Sequence, residues 1–159
     1  FRPHFFGGVA LVVAKLLIAA APHVAIFGEK DYQQLLVVRR MVRDLALPVE
    51  IVGMPTMREA DGLAMSSRNA NLNVKERKVA GRMNAILADA VARLRTGAAI
   101  VAVQAQAVMA LKDAGFDSVD YVAVRDAEDL RKIETIVRPA RILAAAHIGR
   151  TRLIDNLPV

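Results

Sequence analysis

The sequence predicts two joined folds: a partial doubly wound α/β segment over residues 1–56, followed by a small α+β domain with an antiparallel sheet over residues 57–159. Three observations predict it. In the first part, helical stripes alternate with short apolar segments bounded by Pro and Gly, the grammar of a parallel sheet. A sixteen-residue stretch without periodicity, Met57 to Leu72, then interrupts the pattern. Beyond it come helical stripes and a group of strand-like runs, the last two separated by a tight turn.

The elements follow in order. Gly7-Gly8 opens an apolar stretch, Val9 to Ala21, which reads as a buried helix stopped by Pro22. His23 to Phe27 (HVAIF) reads as a wholly apolar strand covered on both faces and ended by Gly28. Asp31 to Leu45 spaces Leu35, Val38, Val42 and Leu45 as one helical face. Pro48 breaks the chain, and Val49 to Met54 (VEIVGM) is the next strand, ended by Pro55. After the non-periodic stretch, Asn73 and Glu76 fit a capping box for a helix running to about Arg95, with Met83, Leu87, Val91 and Leu94 on one face. Thr96-Gly97 ends it, and a second helix spans Ile100 to Ala114, stopped by Gly115. Val119 to Val124, Arg141 to His147 and Thr151 to Leu157 read as strands, with a turn at Ile148-Gly149-Arg150.

Composition excludes several function classes. Hydrophobic residues make up 55% of the chain, too many for a disordered segment. Aromatics are 4% and Trp is absent, which argues against a base-stacking RNA surface. With no Cys there are no disulfides, no thiolate chemistry and no Cys-based zinc site, in keeping with a cytoplasmic protein. The apolar run from Val9 is broken at Lys15 and falls short of the roughly 18–20 residues of a membrane span. Phe1-Arg2-Pro3 is no signal leader, and a chain opening on Phe reads as a piece of a longer one. A net charge of +6 invites a polyanion. Arg138, Arg141, Arg150 and Arg152 supply much of it from an acid-free stretch, where a solvated strand pair is expected rather than a nucleic-acid surface.

Two stretches can carry chemistry. Phe27 to Leu35 (FGEKDYQQL) lies at the carboxyl end of the first strand, where a helix begins. Open α/β sheets bind ligands at that place, and helix N-termini favour anions. Lys30 is a point charge suited to phosphate, Asp31 can orient it or hold a metal, and Gln34 lies one helical turn further on the same face. The alternative is that Asp31 and Gln34 are only a capping box. The second stretch is Ala64 to Asn69 (AMSSRN), two hydroxyls beside an arginine able to donate to phosphate oxygens; here the alternative is a helix cap or a polar loop.

Taken together, GEKDYQQL and PTMREADGLAMSSRN resemble the pantoate–β-alanine ligase (pantothenate synthetase) family. The resemblance runs from Arg2 to Asn156 and includes the closing GRTRLIDN. It implies a Rossmann-like fold of the HxGH-type nucleotidyltransferases (HUP class), of which residues 1–56 are the second half. It implies ATP-dependent condensation of pantoate with β-alanine through pantoyl adenylate, giving pantothenate, AMP and pyrophosphate, with Mg²⁺ bridging phosphates. By motif, Gly28, Glu29, Lys30 and Asp31 line the ATP site, with Lys30 on the phosphates, and Gln34 holds pantoate. Met57 stands where the main chain meets adenine, and Met65, Ser66, Ser67 and Arg68 form a KMSKS-like loop that grips the triphosphate. Lys30 and the Ser66–Arg68 loop are thus expected to converge on one polyphosphate.

The sequence also departs from the family. The histidine pair of the HxGH motif belongs to the family's N-terminal half, and His4, His23 and His147 have no such spacing. Residues completing the pantoate and metal sites belong to that half too. Phe5 and Leu11 stand where a histidine and a threonine are usual, Ile18 replaces a polar residue, His23 an aspartate and Asn71 a tyrosine. The 159 residues are therefore expected to be inactive by themselves and to need another chain or self-association to cover the missing half-domain. The alternative is a truncated or redesigned, non-catalytic, self-assembling fragment. Nucleic-acid binding through net charge is the least supported reading.

Overall fold

The computed structural model describes the backbone of residues 3–159 and the side chains of residues 6–159. Arg2 therefore lies outside the described residues, and the expectations at His4 and Phe5 concern side chains outside them. The chain divides into two compact units, Phe1–Thr56 and Met57–Val159.

In the first unit, α1 (Pro3–Ala20) precedes β1 (Val24–Gly28), a 3-10 turn (Glu29–Asp31), α2 (Tyr32–Asp44) and β2 (Glu50–Met54). The strands pair in parallel, from Val24 opposite Glu50 to Gly28 opposite Met54, so both carboxyl ends lie at one edge. Parallel neighbours require a crossover, and α2 supplies it. Its stripe buries Leu35, Val38 and Val42, and Tyr32 joins them. Leu45 belongs to the stripe only by spacing; it is the C-cap and is exposed. A Cβ at Gly53 would lie 2.9 Å from the Leu35 side chain, so glycine in β2 lets α2 close onto the strand. Leu17 of α1 completes a small core with Val38 and Val42.

Two expectations need correction here. The first helix begins at Pro3 rather than Val9, and it is not buried: Leu11, Val12, Leu16 and Ile18 are all more than half exposed. A helix apolar on every side needs cover on every side, and in this unit only the stripe through Val13 and Leu17 meets a core. HVAIF is likewise covered on one face. Ala25 and Phe27 pack inward, while Val24 and Ile26 stay exposed. An apolar run alone does not reveal how many faces the fold covers.

The second unit holds α3 (Val74–Ala80), α4 (Arg82–Arg95), α5 (Ile100–Asp113), β3 (Ser118–Asp126), β4 (Ala140–Ile148) and β5 (Thr151–Pro158). Its sheet is antiparallel in the order β3-β4-β5. Asn73 caps α3 as expected: its side chain accepts from the Lys75 and Glu76 amides, and Glu76 reaches back to the Asn73 amide. The single helix expected from Asn73 to Arg95 is two helices meeting at Gly81. That residue keeps right-handed angles (φ −58, ψ −21), so the interruption is local. Met83, Leu87, Val91 and Leu94 are buried. They pack with Val103 and Leu111 of α5 against Val124, Ile142, Ala144, Ala146 and Leu153 of the sheet. The β4–β5 turn favours glycine at 149, where φ is +54.

Of the arginines of the acid-free stretch, Arg138 and Arg150 are exposed as expected, Arg152 is partly exposed and Arg141 is buried. Arg138 pairs with Asp126 at 2.9 Å and Arg152 with Asp120 at 2.7 Å. Arg141 is buried and donates to Asn156 Oδ1 at 2.5 Å. Their partners come from neighbouring parts of the sheet, distant in sequence, and Arg150 remains exposed in the turn. Among the described residues, no helix is long and apolar enough to cross a membrane.

Two outcomes follow from this packing. Leu87 has 0% exposure, so Leu87→Ala is expected to cost about 2–5 kcal/mol in denaturant unfolding of the second unit. The Arg152 guanidinium, helped by His147, holds the Asp120 carboxyl below its ordinary value of 3.8. Its stabilising effect is complete above that pH and is lost as pH falls through the lower folded value. Asp120→Asn should therefore flatten the acid limb of a melting-temperature profile taken below pH 3.8, leaving the slope near neutrality unchanged.

Candidate functional site

The carboxyl edge of the parallel pair is the first place where functional groups gather. β1 ends at Gly28, and the chain turns at once through Glu29, Lys30 and Asp31 into α2. Gly28 is extended (φ −71, ψ 136), a conformation open to any residue. A Cβ built there meets nothing within 4 Å among the described residues, so neither backbone nor their packing demands glycine at this position. Lys30, Glu29 and Gln34 are half-buried, and Asp31 is exposed.

Asp31 occupies the N-cap position of α2, yet its side chain makes no capping hydrogen bond. The capping-box alternative for Asp31 and Gln34 is thereby removed. Four side chains of mixed charge and polarity, Glu29, Lys30, Asp31 and Gln34, stand at the edge of the sheet where a helix starts, a place that suits an anion.

The second place is the non-periodic stretch of the second unit, which is built rather than loose. Residues 57–65 form a small hairpin. Arg58 and Ala64 make an antiparallel bridge, the Met65 amide donates to the Met57 carbonyl at 2.9 Å, and the Glu59 amide donates to the Leu63 carbonyl at 2.9 Å. Gly62 sits in the turn with φ +87. Leu63 and Ala64 are buried, whereas Met57 and Met65 are exposed.

Beyond the hairpin, Ser67–Asn71 form a 3-10 turn. Ser66 caps that turn by accepting the Arg68 amide on its hydroxyl oxygen at 3.2 Å. The cap reading of this serine is therefore correct, but it uses only the oxygen; the hydroxyl hydrogen is still available to a ligand. Asn69 donates its amide nitrogen to the Ala64 carbonyl at 3.2 Å and so ties the turn to the hairpin. Its Oδ1 is buried and has no partner among the described residues. Ser67 is exposed.

Ion pairs divide the basic side chains of this region into two kinds. Arg58 donates to both oxygens of Asp155, at 2.8 and 2.9 Å. Arg77 likewise engages Asp61 at 2.5 and 3.0 Å, and it holds the Asp61 carboxyl below the usual aspartate range. Arg68 differs: it is exposed, and among the described residues its guanidinium enters no ion pair. Arg58, Asp155, Asp61 and Arg77 did not stand out in the sequence. No spacing in the sequence marked them, because each pair joins positions far apart in the chain.

Gly28, Glu29, Lys30, Asp31 and Gln34 thus gather in the first unit, and Met57, Met65, Ser66, Ser67 and Arg68 gather in the second. Among the described residues, no three His, Asp or Glu side chains are grouped as a metal cage.

The family model for pantoate-beta-alanine ligase matches residues 1–158. The pantothenate synthetase of Paramagnetospirillum magneticum is 55% identical over 158 residues, covering 99% of this chain and 56% of that protein. That of Mesorhizobium japonicum is 55% identical over 159 residues, again reaching 56% of the relative. Among solved structures, pantothenate synthetase from Thermus thermophilus superposes with a TM-score of 0.92 at 46% identity, over 98% of this chain and 56% of that one. Pantoate-beta-alanine ligase from Francisella tularensis, complexed with beta-gamma ATP and beta-alanine, gives 0.73 at 30% identity over 98% of this chain and 51% of that one. The chain spans just over half the length of the relatives it matches.

Proposed function

Because this chain belongs to the pantoate–β-alanine ligase family, we propose that it supplies the ATP-gripping part of an enzyme that joins pantoate to β-alanine. The observation that carries this reading is the position of Lys30. It stands in the turn at the carboxyl edge of the parallel pair, close to a glycine that no described residue requires.

In the proposed reaction the pantoate carboxylate attacks the α-phosphorus of ATP and pyrophosphate leaves, giving a mixed anhydride. The amine of β-alanine then attacks the acyl carbon, loses a proton, and AMP leaves. Neither step needs a nucleophile from the protein. Both depend on placing reactants and on neutralising charge that builds on equatorial and leaving oxygens. Lys30 would sit on the phosphates, with Gly28, Glu29 and Asp31 lining the nucleotide and Gln34 holding pantoate. Met57 would offer its main chain to adenine. Met65, Ser66, Ser67 and Arg68 would close on the triphosphate, Arg68 bidentately and Ser66 through its unused hydroxyl hydrogen.

Mg²⁺ fits the donors present only as an ion held mostly by ATP. Asp31 offers one exposed carboxylate, and octahedral Mg²⁺ commonly takes one or two carboxylates together with phosphate oxygens. Bound there it would neutralise phosphate charge. The proposal assigns no HxGH chemistry to these 159 residues, whose three histidines lack that spacing. Turnover therefore requires the other half of the fold.

Calorimetric titration with Mg-ATP tests the reading. The chain should bind, and Lys30→Ala and Arg68→Ala should each weaken binding by about 10–100-fold, the worth of a hydrogen bond to a charged group. Unchanged affinity in both variants would overturn it. Pantothenate formed by the 159 residues alone would show that no second half is needed.

One observation favours the second reading, a self-assembling fragment: the exposed Leu11, Leu16 and Ile18 of α1 and Ile26 of β1. It predicts concentration-dependent mass in analytical ultracentrifugation that is abolished by Leu11→Thr with Ile18→Gln. A monomer at every concentration would remove it.

A further inference from the structure

We infer that Arg58 and Asp155 form the positioning pair of the Ser66–Arg68 loop: one guanidinium locks the hairpin onto β5 and so fixes the shape in which Arg68 is presented. The inference deepens the proposed reading and rests on it for the identity of the ligand, but its structural half stands on geometry alone.

Asp155 lies two residues after Leu153 on β5, so it shares the face that packs into the core, and it is only 3% exposed. A carboxylate buried there needs a partner with matching geometry. Arg58 meets both oxygens in the fork arrangement that lysine cannot reproduce. The Asn156 amide donates to the same Oδ1 at 2.7 Å, which fixes the carboxylate plane to the strand.

The same Nη1 that reaches Asp155 also donates to the Gly62 carbonyl at 2.9 Å. Gly62 lies in the turn of the hairpin, so a single group ties the first arm and the turn to β5. With these held, Met65 faces Met57, and Ser66 follows directly as the cap of the 3-10 turn. That turn packs against β5, the strand carrying Asp155. Asn69 then clasps the turn to Ala64.

Arg58 is not itself a ligand group. Its side chain is 23% exposed, and three of its five N–H donors are engaged by Asp155 and Gly62. The exposed cation of the loop, without an ion pair among the described residues, is Arg68, ten residues further on. Arg58 sets the frame, and Arg68 is what the frame presents.

The test compares the parent chain with Arg58→Met/Asp155→Asn, a double variant that leaves no unpaired buried charge and keeps an Oδ1 for the Asn156 amide. Arg58→Lys and Arg68→Ala serve as references. Amide exchange at Met65 and Asn69 should speed up by about tenfold or more in the double variant. Protection across β3, β4 and β5 should be unchanged, and Arg58→Lys should lie between. In Mg-ATP titration, adding the double variant to Arg68→Ala should weaken binding little further, because both act through the same side chain.

Unchanged exchange at Met65 and Asn69 would overturn the inference. So would a binding penalty that adds in full to that of Arg68→Ala, which is the result expected of a purely structural pair. If the parent chain binds no ATP, the proposed function falls, while the exchange measurement still decides whether Arg58 positions the loop.

Discussion

A carboxylate that faces a protein core has to be neutralised, and at Asp155 that requirement seats the hairpin of the second unit on β5. Its partner, Arg58, is 97 positions away in sequence, and the two meet bidentately. The consequence reaches well beyond the pair. Sixteen residues with no periodicity become a hairpin with fixed arms and a capped 3-10 turn. Hydrogen bonds from Asn69 and the packing of the turn on β5 then act on a frame already in place.

In the first unit the corresponding constraint is parallel pairing. Two parallel strands joined by one helix must end at the same edge, and the turn into that helix must lie there too. Lys30 and its neighbours occupy the edge because the chain has nowhere else to turn. What the unit does not supply is cover for its remaining apolar surface. The exposed leucines of α1 and Ile26 of β1 lie on sides that no described element buries.

Charge is distributed differently from what its sum suggests. The arginines at 138, 141 and 152 lie in a run with no acid, yet each finds an acceptor on an adjacent part of the sheet. Arg138 and Arg152 are paired with carboxylates and Arg141 with an amide oxygen, while Arg150 stands exposed in the turn. Net charge read from composition therefore overstates the basic field this sheet presents.

The sequence by itself determined the local rules: the stripe of α2, the capping box at Asn73, the glycine stops at 97 and 115, the β4–β5 turn, and the two stretches that carry the family resemblance. Each depends on residues a few positions apart, where spacing translates directly into geometry. Only the tertiary structure decided how many faces of α1 and β1 are covered, that the long helix pauses at Gly81, and that Asp61, Arg77, Arg58 and Asp155 hold the loop. Those outcomes depend on which distant groups come together, and periodicity contains no record of that. Arg58 illustrates the difference: in sequence it is one of many basic residues, and its role exists only once a buried carboxylate from the far end of the chain is placed against it.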